Sequence, residues 1–151
     1  MRVTEHEDNE VRGTERNGPQ VVEPVLDLYL QLILDILARD STNQSNFGVT
    51  LTVPGGLVSG TAISRRAYLE ATNSLLRDVG GSGGAFLAEY LDVINQKVDE
   101  LQGAEELKEF PRMVHLKDVQ IVAGNRTMHS PLWRGRLADV VGWSFGTLSG
   151  E

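Results

Sequence analysis

The chain has 151 residues, a formal net charge of -7 and no cysteine. A chain of this length usually forms one domain, and 40% hydrophobic with 23% charged residues is typical of a globular protein. The lack of cysteine excludes disulfides, thiolate metal sites and a cysteine nucleophile, and it favours a reducing compartment. The negative charge disfavours nucleic acid and anionic membranes as partners, because both are negatively charged themselves.

Residues 1–22 are predicted to be a disordered, acidic and polar tail. They have few large apolar side chains, so folding them would bury too little apolar surface. They also lack the positively charged start and apolar run of a secretory signal. Downstream, the longest apolar stretch, residues 25–38, is interrupted by polar side chains and is shorter than the roughly 20 residues that span a bilayer. We therefore expect no membrane span and a single α+β domain over residues 23–151.

The domain is predicted to begin with a helix and a β-hairpin. From Glu23 onward, apolar residues recur at the spacing of one broad helical face. This predicted face contains Val25, Leu26, Tyr29, Leu30, Ile33, Ile36 and Leu37. Phe47 to Val53 then alternates apolar and small or polar residues, as in a half-buried strand. A Pro-Gly-Gly turn at residues 54–56 connects it to a returning strand over residues 57–63.

Residues 64–110 are predicted to be a helical insertion of two helices. Ser64 can cap the first helix, which ends at Gly80, and Gly80 to Gly84 reads as a flexible joint. In the second helix the apolar side chains share one face, which we expect to be buried. That face contains Phe86, Leu87, Tyr90, Leu91, Ile94, Val98 and Leu101.

After Pro111 the sequence predicts three more strands. The first covers residues 114–122 with an irregularity near Lys117-Asp118, and a loop follows from Gly124 to Pro131. The last two strands are expected near residues 132–140 and 143–148. The sequence therefore predicts an α+β fold in which an N-terminal helix and a two-helix insertion accompany a small, bent, mostly antiparallel five-stranded sheet.

No motif in the chain adds up to a reaction or cofactor site. The glycines at 80–84 follow a helix and lack the lysine of a phosphate-binding loop. His6, His115 and His129 lack the spacing of common zinc sites. We therefore expect a non-enzymatic protein with no metal and no cofactor.

One alternative is a hydrolase that uses His129 with Ser130, or the acidic pairs Asp99-Glu100 and Glu105-Glu106. Adjacent loop residues rarely face each other as nucleophile and base, and no orienting carboxylate is evident beside them. Acidic pairs on a helix are usually a solvated surface. This alternative ranks last.

The least usual local string is Trp133-Arg134-Gly135-Arg136, which combines an aromatic ring with two fork-shaped hydrogen-bond donors. Arginine pairs of this kind recognise carboxylates, so the string is a candidate partner-binding site. The alternative is that Trp133 packs in the core and the arginines form ion pairs within the chain. Trp143 and Phe145, two residues apart, place both rings on one sheet face. The candidate contact residues are Trp133, Arg134, Arg136 and Trp143.

Several strings in these strands resemble the gas vesicle accessory protein GvpU family. The resemblance covers roughly residues 24–149. It rests on the strings at 49–53 (VTLTV), 57–64 (LVSGTAIS), 115–119 (HLKDV) and 133–142 (WRGRLADVVG). It implies a cytoplasmic accessory protein associated with gas vesicles, which acts without catalysis through contacts that influence vesicle assembly or clustering. The expected partners are gas vesicle shell or accessory proteins, together with further copies of the chain.

The same strands are also similar to the Sm-like pattern, in which a helix precedes a strongly bent five-stranded barrel. Leu116 to Val119 resembles its third strand, and Arg134-Gly135 resembles the Arg-Gly of its fourth. This likeness implies an alternative function as an oligomeric RNA-binding adaptor that uses Arg134. The insertion at 64–110 departs from that pattern, and Arg112-Met113-Val114 stands where the pattern has an RNA-contacting Met-Asn pair.

Overall fold

The computed structural model describes residues 26–102 and 111–148. The described helices are α1 (Leu28–Ala38), α2 (Arg65–Val79) and α3 (Gly81–Gln102), and the strands are β1 (Phe47–Val53), β2 (Gly56–Ala62), β3 (Met113–Ala123), β4 (Arg126–Arg136) and β5 (Gly142–Phe145). A short 3-10 turn, Leu137–Asp139, connects the last two strands. The predicted tail at 1–22 and the end of the predicted insertion, 103–110, lie outside the described residues.

The five strands form one sheet in the order β4-β3-β2-β1-β5, and each neighbouring pair is antiparallel. The predicted α+β fold is confirmed, and the sheet is open rather than closed into a barrel: β4 and β5 are its two edges. The register between β2 and β3 shifts between Ser59 and Thr61, opposite Asp118, whose φ is 52°. This β-bulge bends the sheet at the irregularity that was predicted near Lys117-Asp118.

The core lies between α1 and one face of the sheet. Its members are Leu30, Leu34, Leu37, Val49, Leu51, Val58, Ala62, Val114, Leu116, Val119 and Leu137. The predicted face of α1 was partly wrong, because Tyr29 and Ile36 are 66% and 70% exposed whereas Leu34 is buried. Almost every residue between Leu28 and Leu37 is apolar, so periodicity alone does not determine which side of this helix faces the sheet.

Helices α2 and α3 form a hairpin beside the sheet. The ring of Tyr68 on α2 lies 4.8 Å from that of His115 on β3. The predicted flexible joint at Gly80 to Gly84 was wrong, because Gly80 caps the end of α2 and the other four residues form the first turn of α3. A side chain at Gly84 would overlap the Leu76 carbonyl oxygen, so glycine here lets the two helices approach closely. No helix within the described segments is long and apolar enough to cross a membrane.

The loop predicted from Gly124 to Pro131 was also wrong. Only a tight turn around Gly124 separates β3 from β4, which begins at Arg126. Pro131 is tolerated because β4 is an edge strand and Pro131 lies opposite the Asp118 bulge, where the ladder is interrupted. Residues 126–136 therefore form one of the two exposed edges of the sheet.

Candidate interaction surface

The edge strand β5 carries two aromatic rings on the core side of the sheet. Trp143 pairs with Leu51 of β1, and Phe145 pairs with Val49. Since side chains alternate along a strand, both rings point to the face that holds these two buried residues. The ring centroids of Trp143 and Phe145 lie 5.0 Å apart in an edge-to-face arrangement.

Two further rings extend this pair on both sides. Tyr29 of α1 stacks on Trp143 with a centroid distance of 5.8 Å and an interplanar angle of 20°. Phe47 of β1 meets Phe145 edge-on at 5.8 Å. These four residues, Tyr29, Phe47, Trp143 and Phe145, form a continuous series of rings that we call the aromatic edge. Both stacked and edge-to-face contacts are favourable arrangements of aromatic quadrupoles.

Asp27 fixes the aromatic edge to the start of α1. One of its carboxylate oxygens accepts a hydrogen bond from the Leu30 N–H at 3.1 Å, which caps the helix. The other accepts from Nε1 of Trp143 at 2.9 Å. The Leu30 N–H, followed by the Trp143 N–H, lowers the pKa of Asp27 below its usual value. The ionised carboxylate therefore holds the indole in the orientation that Tyr29 stacks on.

The aromatic edge is accessible along its outer side. Tyr29 is 66% exposed and Phe145 is 60% exposed, although aromatic side chains are usually well covered. Strand β5 pairs with β1 on one side, and in residues 26–102 and 111–148 no strand pairs with its other side. The edge therefore offers apolar rings beside backbone groups that can accept another strand or a partner side chain.

Trp133 lies on the opposite edge strand. Its register with Leu116 places it on the core face, where it packs against the core. Its ring lies across Gly135, where any side chain would overlap it. With Val53 and Asp139, both residues line an open cavity of about 310 Å³. Trp133 and Trp143 thus share one face of the sheet but belong to its two different edges.

Arg134 points to the other face of the sheet and contacts His115. Its Nε donates to Nε2 of His115 at 3.2 Å, so the imidazole must be neutral at that nitrogen. Burial, followed by the charges of Arg134 and Arg65, lowers the pKa of His115 to about 4. Arg134 therefore supports the packing of His115 against Tyr68 and is committed in part to this intramolecular contact.

Arg136 forms an ion pair within the chain. Its Nε and a terminal nitrogen donate to the two carboxylate oxygens of Asp139 at 2.9 and 3.2 Å. Both side chains are largely exposed, so the pair contributes little stability, but it orients the guanidinium. The structure thus separates the four candidate contact residues: Trp143 belongs to the aromatic edge, and Trp133, Arg134 and Arg136 belong to β4.

His129 and Ser130 do not form a nucleophile and base. They are neighbours in β4, not in a loop, so their side chains point to opposite faces of the sheet. The Ser130 hydroxyl donates to the Leu132 carbonyl at 2.6 Å. Within the described residues, no group of three histidine or acidic side chains is placed to hold a metal ion.

Sequence reasoning placed Trp143 and Phe145 on one face but missed Tyr29, Phe47 and Asp27 as their partners. The hydrogen bond from Trp143 to Asp27 joins residues 116 positions apart, which no local pattern can reveal. The available signal was an aspartate directly before an apolar helical run, which predicts a helix cap but not a contact with an indole.

The chain matches the model of one protein family, described as gas vesicle protein GvpU-like, over residues 27–148. No curated protein and no solved structure shows significant similarity to the chain. The match begins at Asp27, includes every helix and strand of the described residues, and contains the whole aromatic edge. Because it covers most of the sequence, the chain belongs to the gas vesicle protein GvpU-like family.

Proposed function

We propose that this gas vesicle protein is a non-enzymatic accessory protein that acts by protein–protein contacts in vesicle assembly or clustering, and that the aromatic edge is its docking surface. The observation that carries this proposal is the continuous series of four rings beside the edge strand β5, of which Tyr29 and Phe145 are exposed. The partner is a gas vesicle shell or accessory protein, in accordance with the family to which the chain belongs.

The aromatic edge has the chemistry of a protein contact. Aromatic residues are enriched at interface centres because they bury a large apolar area and lose little side-chain entropy. Trp143 and Tyr29 are already held by Asp27 and by each other, so a partner meets a preformed surface. Preorganisation of this kind lowers the entropic cost of binding.

The arginines of β4 form a second contact in this proposal. Arg134 and Arg136 are exposed, and each guanidinium is oriented by an intramolecular partner. A carboxylate on a vesicle protein would be recognised by either group, and Trp133 provides apolar surface beside Arg136. Contacts at two edges of the sheet would bind with an avidity that neither edge reaches alone.

The proposed role is adhesive and cytoplasmic. Residues 23–151 act as one accessory domain, with residues 64–110 as its helical insertion, and residues 1–22 act as a tail. Binding of the domain to a vesicle protein, combined with self-association, connects particles that have no direct affinity for each other.

Flotation with intact gas vesicles tests the proposal. The full chain is mixed with vesicles and centrifuged gently, and the fraction that rises is measured. We expect the exposed pair Tyr29→Ser with Phe145→Ser to lower the apparent affinity by about tenfold or more, because two anchor rings are removed. Met128→Ser is the matched control, since Met128 is 52% exposed on the same face of the other edge strand.

Each outcome bears on a separate part of the proposal. Equal flotation of the double variant and the control would overturn the aromatic edge as the docking surface. Unchanged flotation after Arg134→Glu with Arg136→Glu would overturn the arginines as contacts. No flotation of the unmodified chain at low or physiological salt would overturn direct binding to the vesicle surface.

A further inference from the structure

Helix α3 uses its smallest side chains to pack against α2. Gly84 and Ala88 are buried at this contact, and Ala88 has no exposed surface. Asp92 also lies near α2, where its carboxylate accepts a hydrogen bond from the Asn73 side chain at 2.8 Å. Because small residues occupy the inner side, the large apolar residues of α3 lie on the other side.

The predicted burial is wrong for Phe86, Leu87, Tyr90 and Ile94, which are exposed to solvent, whereas Leu91 is half-buried. The side chains of Val98 and Leu101, which belong to the same predicted face, lie outside the described residues. Phe86, Leu87, Tyr90, Val93 and Ile94 form what we call the outer face of α3, and they are 63%, 48%, 53%, 60% and 49% exposed. Their spacing of three and four residues places them along one side of the helix. The rings of Phe86 and Tyr90 already touch, with centroids 4.8 Å apart.

We propose that the outer face of α3 binds the outer face of a second copy of the chain, with the two helices antiparallel. A two-fold axis at Tyr90 brings together residues that are equally far from Tyr90 in opposite directions. Phe86 of one copy then faces Ile94 of the other, and Leu87 faces Val93. Both of these facing pairs are apolar, which makes the outer face complementary to itself, and the exposed Lys97 lies beyond it, opposite Gly83 of the other copy.

The charges of α3 are compatible with this pairing. Glu89 and Asp92 are exposed but lie about 100° or more around the helix from Tyr90. The acidic side chains of the two copies therefore do not meet across the interface. Acids on this face would repel the same acids on the second copy, whereas here the negative charge of the chain lies away from the contact.

The area of the outer face suits a weak dimer. Five half-exposed side chains offer on the order of 500 Å² per copy, if each exposes about 100 Å². Two copies then bury about 1,000 Å², which is the lower limit for a specific interface. A dimer of this kind supplies the self-association that the proposed function needs, and that function rests on a different surface.

Sedimentation of the full chain without vesicles tests the dimer independently of vesicle binding. We expect a concentration-dependent dimer whose dissociation constant rises at least about tenfold in Phe86→Glu with Ile94→Glu, because two pairs of carboxylates are placed in an apolar contact. Ile36→Glu is the matched control, since Ile36 is 70% exposed on α1 and should leave the dimer unchanged. Circular dichroism of each variant verifies that the helices are retained.

Cross-linking provides a second measurement that does not alter the charge of the face. The chain has no cysteine, so a single Tyr90→Cys creates one reactive thiol on the proposed axis. With an added oxidant such as copper phenanthroline, we expect rapid formation of a disulfide-linked dimer, whereas Gln96→Cys, about 120° around the same helix from Tyr90, should not become cross-linked.

Several results would overturn the inference. These are a monomeric full chain at all concentrations, unchanged dimerisation of the doubly charged variant, or equal cross-linking at positions 90 and 96. If the chain is monomeric and its flotation with vesicles is lost when Tyr90 is replaced, the outer face binds a vesicle protein instead of a second copy. If the chain is monomeric and the outer face becomes more accessible when residues 103–110 are deleted, this segment of the same chain covers the face. Both outcomes would leave the docking role of the aromatic edge intact.

Discussion

The carboxylate of Asp27 accepts a hydrogen bond from Trp143 with one oxygen while its other oxygen caps α1. This one side chain therefore joins the first helix to the last strand of the sheet. The bond is short, 2.9 Å, and charge-assisted hydrogen bonds of this kind are stronger than neutral ones. We expect the orientation of α1, and with it the position of Tyr29, to depend on Asp27.

Replacement of Asp27 should separate the cap from the link to the indole. Asp27→Asn keeps an oxygen for the Leu30 N–H, because asparagine is as good a cap as aspartate, but it places an amide NH2 group, which cannot accept, where the second oxygen accepted from Trp143. Asp27→Ala loses both bonds. We expect the melting temperature to fall by about 3–6 °C in the alanine variant and by less in the asparagine variant. An asparagine variant that melts at the same temperature as the unmodified chain would show that the link to Trp143 contributes nothing.

His115 should make the fold sensitive to acid. Its pKa is lowered from 6.5 to about 4 in the folded chain, so the unfolded chain binds more protons between these values. The free energy of unfolding therefore falls as the pH drops from about 6.5 to about 4, and this loss amounts to about 3 kcal/mol at most. Above pH 6.5 the contribution of His115 is fully present.

Urea denaturation at several pH values checks this effect against His115→Gln. Glutamine stays neutral at every pH and offers an oxygen to the Arg134 guanidinium. Carboxylates also titrate below pH 6.5, so the difference between the two chains isolates the histidine. Parallel stability curves for the two proteins between pH 4 and 6.5 would mean that His115 is not buried as a neutral base.

The periodicity of apolar residues predicted the elements that have one buried and one exposed side. It failed for elements whose residues are almost all exposed or almost all apolar. The bounds of β1 were predicted correctly, because Phe47 to Val53 alternates between core and solvent. The start of β4 was missed, because Arg126 to His129 is exposed on an edge strand and offers no alternation. The buried face of α1 was misassigned for the opposite reason, since an almost entirely apolar helix gives no contrast between its sides.

The candidate surfaces depended on contacts that no local pattern contains. The sequence placed Trp143 and Phe145 on one sheet face, but whether a helix covers that face is a tertiary property. Tyr29 completes the aromatic edge only because α1 begins beside β5, where Asp27 bonds to Trp143. In the same way, the outer face of α3 was expected to be buried because periodicity identifies an apolar face and does not identify its partner.

Gly135 should be required for the packing of Trp133. A side chain at this position would overlap the indole ring, so Gly135→Ala forces the ring away from the core. We expect a loss of about 1–3 kcal/mol in the free energy of unfolding, as for other overpacked sites. Gly142→Ala is the control, because a Cβ there meets only Thr52, at 3.9 Å. Urea denaturation followed by tryptophan fluorescence measures both variants. Similar losses at the two glycines would contradict the overlap.

Ser59 should hold the end of the described chain onto the sheet. It is 2% exposed, its hydroxyl accepts a hydrogen bond from the Leu148 N–H at 2.7 Å, and the Thr50 hydroxyl lies 3.2 Å away. Ser59→Ala removes the acceptor and leaves the Leu148 N–H without this partner. We expect a loss of about 1–2 kcal/mol in stability, since an unsatisfied polar group costs its desolvation free energy.

Amide hydrogen exchange gives the local reading of the Ser59 substitution. Protection of the Leu148 amide should fall in Ser59→Ala, whereas amides in the centre of β1 should change only as far as global stability changes. Ser144→Ala is the matched control, because Ser144 is an exposed serine on β5, the strand that pairs with the other side of β1. If the Leu148 amide stays protected in Ser59→Ala, another group holds this segment, and the buried hydroxyl is not what connects it to β2.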